Sequence, residues 1–226
     1  MRSVGRWGVR LVMPQALLLA LHLRDAAGLH PPTSPEVPAL PPLDPPARSM
    51  GPAVLSPEGR RAAGAQWARW WAGAFPGGPQ ALTSLLPPAF PGLRGVPELR
   101  GLAELGIDEA VAWAARARRL ESHVRAEVPV ALFETTLLAQ VERELGRYVR
   151  PFTLDVVVLP VRGPGSWDTP AGPVVSLALR ADRDAYLAWL REQLLRIGRG
   201  GAVGRGDGEG TTKAPPPEGA GPSALG

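Results

Sequence analysis

At 226 residues the chain is long enough for one domain of ordinary size, but 27 Gly and 27 Pro, about a quarter of it, shorten the part that can pack. The lack of cysteine excludes disulfides, thiolate catalysis and Cys-ligated metal, and no run of 18 apolar residues offers a transmembrane helix. A net charge of +4 and a pI near 10.5 invite a nucleic-acid reading, yet the excess lies near the N-terminus, where Arg2, Arg6, Arg10 and Arg24 face Asp25 alone.

Gly and Pro are unevenly spread, and their distribution divides the chain into four segments. Residues 1–30 hold an N-terminal helix, 31–56 a Pro-rich linker, 57–198 a globular α+β domain, and 199–226 a Gly/Pro-rich tail too polar to offset its chain entropy and therefore expected to be disordered.

The first segment has two readings. A short strand over residues 9–13 followed by a helix from Pro14 to Gly28 would bury Leu17, Leu18, Leu21 and His22. Alternatively, Arg2, Arg6 and Arg10 before an apolar stretch resemble the start of a secretory signal over residues 1–29. Pro14 and Gln15 interrupt that stretch, and Arg24 and Asp25 crowd its end, so a cytoplasmic core helix is the preferred reading and secretion the alternative. Met13 as the true start would remove most of the basic charge.

In the linker, Pro32, Pro35, Pro38 and Pro41 recur every three residues, the repeat of polyproline II, and would line one edge of such a helix. They would serve as a spacer strapped across the domain or as a ligand for an aromatic groove. Ser56 with Pro57 then opens a helix that Pro76 breaks, in which Trp67, Trp70, Trp71 and Phe75 make one aromatic face, read as core. Residues 80–105 read as a long loop wrapping the core through Leu85, Phe90 and Leu93.

A helix is predicted over residues 108–127 with Trp113, Ala117, Leu120 and Val124 inward, leaving Arg116, Arg118, Arg119 and Arg125 for solvent or phosphates. Another, from Pro129 to Gly146, would bury Leu137, Val141, Leu145 and Tyr148. The remaining unit is a C-terminal antiparallel β-hairpin, residues 152–159 and 173–179, followed by a closing helix capped by Asp182 and stopped by Gly198, a ββα arrangement. The fold class expected is therefore α+β, mainly helical, with helices on one face of a small sheet.

No stretch carries a catalytic signature. The three histidines, His22, His30 and His123, form no metal-ligand spacing, and a triad drawn from Ser176, His123 and Asp155 is the kind any chain of this size permits. No catalytic residue, metal or cofactor is assigned. The best candidate for recognition is the loop between the two strands, which presents Arg162, Ser166, Trp167 and Asp168. The expected function is a non-enzymatic protein-interaction module with another protein as partner. The alternatives are a small enzyme gathering Asp155, Asp168, Arg162 or Glu144 in three dimensions, and a nucleic-acid binder using the Arg-rich helix.

Overall fold

Two runs of β-branched residues build the centre of the molecule. A computed structural model describes residues 7–75, 85, 90–128 and 131–200; the predicted tail from 201 on, Arg2 and Arg6, and most of the stretch 76–89 lie outside them. Four strands, β1 (Gly8–Val12), β2 (Thr153–Leu159), β3 (Ser166–Thr169) and β4 (Gly172–Ser176), form one sheet in the order β1-β2-β4-β3. The described helices are α1 (Gln15–Ala26), α2 (Pro57–Ala74), α3 (Pro97–Glu127), α4 (Ala131–Leu145), α5 (Leu177–Ala181) and α6 (Arg183–Gly198). The chain is thus mixed helix and sheet.

The strands are not a simple antiparallel hairpin. β2 runs parallel to both β1 and β4, and only β3 runs antiparallel, against β4. The reason lies in residues 162–172, which contain β3. The chain leaves β2, crosses to the sheet edge, reverses along β3, and returns between the two as β4. One extra reversal turns the expected antiparallel pair into a parallel one.

Nor are helices confined to one face. Val157, Leu159 and Val174 pack into a core with α1, α2 and α3, whereas Leu154, Val156, Val158 and Val175 pack with α4, α5 and α6 on the opposite side. Adjacent residues 156–159 are all buried, which is how a parallel strand covered on both faces reads. On the first face α1 is buried all round, including Leu17, Leu18, Leu19, Leu21 and Leu23, each 0% exposed. Helix α1 therefore shares one core with α2 and α3, while Val9 and Leu11 of β1 pack toward the other.

Helix α3 starts at Pro97, eleven residues before the expected position. Leu99, Leu102, Ala103, Ile107 and Ala110 lie on its buried stripe, and its first turn is held from outside: the Gln66 side-chain carbonyl accepts from Leu99 N at 3.0 Å, and its amide donates to Glu98. A cap borrowed from another helix leaves no local sign. Past Ala117 α3 leaves the first core, so Leu120 is 42% exposed rather than inward, while Val124 is half-buried against the second core. Tyr148 is also exposed, because the chain leaves α4 at Gly146 (φ +65) and turns Val149 inward, its N–H bonded to Glu142. Residues 177–179, expected as strand, begin α5, because the Ser176 hydroxyl accepts from Leu179 N and starts a helix.

Candidate functional site

The proposed recognition residues occupy the sheet edge. Ser166, Trp167 and Asp168 form most of β3, while Arg162 lies on the stretch leading to it, exposed, with its N–H donating to Pro42 O at 2.8 Å. Three of the four thus come together on one strand, and Arg162 is tied to the Pro-rich segment instead. A tight turn at Pro170 and Ala171 joins β3 to β4; the Thr169 hydroxyl donates to Gly172 O at 2.7 Å, and Gly172 takes φ +133.

Ladder geometry decides which groups face outward. Ser176 N donates to Gly165 O, and pairs of an antiparallel ladder alternate, so the peptide groups of Trp167 and Thr169 are directed at β4 and those of Ser166 and Asp168 away from it. Side chains alternate too. Trp167 is half-buried against the first core, its ring lying so close over Gly165 that a Cβ there would meet it at 2.8 Å. Asp168 points to the other face and pairs with Arg196 of α6 at 3.0 Å. Both partners are about half exposed, so this pair orients side chains and adds little stability. Arg196 also lines an open groove of about 410 Å³ with Glu192, Leu195 and Arg199.

No family model, no curated protein and no solved structure matches this chain.

In open sheets with parallel strands, ligands sit beyond the carboxyl ends of the strands. Here the chain itself covers the carboxyl end of β2. Residues 42–44 pair with 160–162 through Asp44 N to Pro160 O and Arg162 N to Pro42 O, both 2.8 Å, with Leu43 bridged to Val161 and both side chains buried. The Ser176 hydroxyl is fully buried and accepts from Gly165 N and Leu179 N.

What holds the Pro-rich segment there escaped the sequence reading. Arg24, 6% exposed, pairs with Asp25 at 2.6 Å and donates to the carbonyls of Leu40 and Pro41, while Asp25 accepts from Leu43 N. Farther on, Met50 N bonds Ala26 O, and Trp113 Nε1 donates to Pro45 O. The charges that crowd the end of an apolar stretch in the sequence are thus the clamp of a strap. The signal was a buried-length helix ending in Arg-Asp just before a proline tract. The tract itself is no straight polyproline edge: Ser34 and Val37 exchange backbone bonds and close a turn within it.

Replacing Arg24 by Ala leaves Asp25 without its cation, bonded only to Leu43 N, and two strap carbonyls without their donor, and is expected to cost about 3 kcal/mol. Limited proteolysis checks it: cleavage within residues 31–50 should speed up in Arg24→Ala and much less in Arg24→Lys, which keeps the charge but not the planar fork. Equal cleavage in all three proteins would remove the clamp.

The groups named for other chemistries are held apart. Asp155 accepts a bidentate bond from Arg10, Glu144 pairs with Arg191, and Asp168 pairs with Arg196. Ser176 is buried, whereas His123 is 68% exposed beside Glu127. On α3, Arg116 is bonded to Glu109, Arg125 to Glu121, and Arg118 reaches Met13 O. Among the described residues no group of three or more His, Asp or Glu is placed to hold a metal, and no helix is long and apolar enough to cross a membrane.

Proposed function

We propose that the protein is a non-enzymatic protein-interaction module that takes an extended segment of a partner protein along the outer edge of β3. The observation that carries this reading is an edge that is open among the described residues: the outward peptide groups of Ser166 and Asp168 offer donors and acceptors at strand spacing, beside a groove floored by Leu195. Strand addition uses such an edge for affinity and an adjoining pocket for selectivity. Pro164 and Pro170 frame the edge and limit pairing to about four residues, which also protects it from indiscriminate pairing. Trp167 serves as the anchor that holds the strand on the core, and Arg162 joins the edge to the strap. Coverage of the carboxyl end of β2 by residues 42–44 and the separate engagement of Asp155, Glu144 and Asp168 favour binding over catalysis. Burial of α1 in the core favours a cytoplasmic protein that keeps residues 1–29.

A displayed library of extended peptides provides the test. Selected binders should shift amide resonances of residues 166–169, and Asp168→Pro should weaken them at least tenfold. That substitution removes an outward N–H from the edge and no bond of the β3–β4 ladder. Binders that map elsewhere, or that ignore Asp168→Pro, would sink the reading.

A further inference from the structure

The α1–α3 interface encloses a histidine that neither the fold nor the proposed binding edge uses. His22 is 1% exposed, and among the described residues neither ring nitrogen has a hydrogen-bond partner. Its ring packs against Trp113 of α3, centroids 5.6 Å apart and planes tilted by 48°. A neutral ring in such a place already forgoes its hydrogen bonds to water. An imidazolium would forgo far more, since a buried charge needs a partner.

The charged groups whose fields reach the ring are Glu109 and Arg116 on α3 and Asp25 on its own helix. Each carboxylate is already matched, Glu109 by Arg116 at 3.1 Å and Asp25 by Arg24 at 2.6 Å. From α2, Trp67 meets α1 through its bond to Ala20 O. Nothing in this set supplies an unmatched negative charge to welcome a proton.

We propose that His22 makes the α1–α3 interface an acid-sensitive latch, closed while the ring is uncharged and opened when a proton must be accommodated. Burial holds the ring's proton affinity below its ordinary value near 6.5, outweighing the attraction of Glu109 and Asp25. The sign follows. The unfolded chain binds the proton more readily, so the latch is fully closed above pH 6.5 and weakens as pH falls from there toward the lowered folded value. The latch has a neighbour: Trp113, which covers His22, also donates to Pro45 O, so opening this interface loosens one attachment of the strap.

The experiment compares urea unfolding of the full chain and of His22→Leu between pH 8 and pH 5. One extra proton taken up on unfolding makes the unfolding constant of the wild type rise by up to tenfold per pH unit below 6.5 relative to the variant. Parallel profiles would overturn the proposal. Should His22→Leu fail to fold, the ring resonances of His22 in the wild type decide instead. They are expected to remain those of the uncharged form down to the pH at which α1 amides lose protection from exchange. A ring that titrates while the fold stays intact would end the idea.

Discussion

A chain lacking residues 1–28 is expected to fail to fold. Truncation removes β1, with its five-residue parallel pairing to β2, and the whole of α1. Leu17, Leu18, Leu19, Leu21 and Leu23 alone are 0% exposed, and at about 2 kcal/mol for each fully buried side chain their loss is roughly 10 kcal/mol. That is comparable to the entire stability of an ordinary domain, roughly 5–15 kcal/mol. The cut would also leave the strap without Arg24, Asp25 and Ala26, whose side chains and carbonyl hold Leu40, Pro41, Leu43 and Met50, and α2 without the Ala27 carbonyl that accepts from Arg60. Far-ultraviolet circular dichroism and urea titration of the truncated chain provide the check. A cooperative transition like that of the full chain would take residues 1–28 out of the core and return them to the status of a removable leader.

The second large effect lies in the aromatic face of α2. Trp67→Ala should destabilise the protein by about 4 kcal/mol, within the range for a buried tryptophan. Trp67 is 1% exposed, stacks on Trp71 with centroids 4.8 Å apart, and donates its indole N–H to Ala20 O at 2.7 Å. The guanidinium of Arg24 lies 5.9 Å from its ring centroid, so the same side chain also supports the strap clamp. Trp67→Phe keeps most of the apolar contact and loses the indole bond to the Ala20 carbonyl, which still accepts its bond within α1, and about 1 kcal/mol is expected there. Urea midpoints at constant m-value measure both. A loss below about 1 kcal/mol for the alanine variant would mean that this face is open to solvent or to a ligand, the opposite of the packing described.

These two expectations mark where sequence reasoning was strong. Periodicity placed Trp67, Trp70, Trp71 and Phe75 on one helical face; Trp67, Trp71 and Phe75 are buried and Trp70 is half-buried. Capping chemistry placed Ser56 and Asp182 at helix starts, where their side chains accept from Gly59 N and Ala185 N. Such signals are readable because they involve residues three or four apart, whose geometry the backbone alone dictates.

The candidate edge was legible only as a loop rich in turn residues. That Ser166, Trp167 and Asp168 form a strand depends on β4 lying beside them, and that Asp168 meets Arg196 depends on α6 crossing behind. The strap was legible as a proline tract, but its clamp joins residues 16 to 18 positions apart.

By itself, then, the order of residues determined most of the elements, several of their caps and a good part of their buried stripes, since local spacing carries that information. Strand direction, the use of both sheet faces, the early start of α3 and the inward turn of Val149 in place of Tyr148 were decided only in three dimensions. A run such as residues 156–159 is equally apolar in a parallel or an antiparallel sheet, and which neighbour it meets is settled by distant parts of the chain competing to cover it.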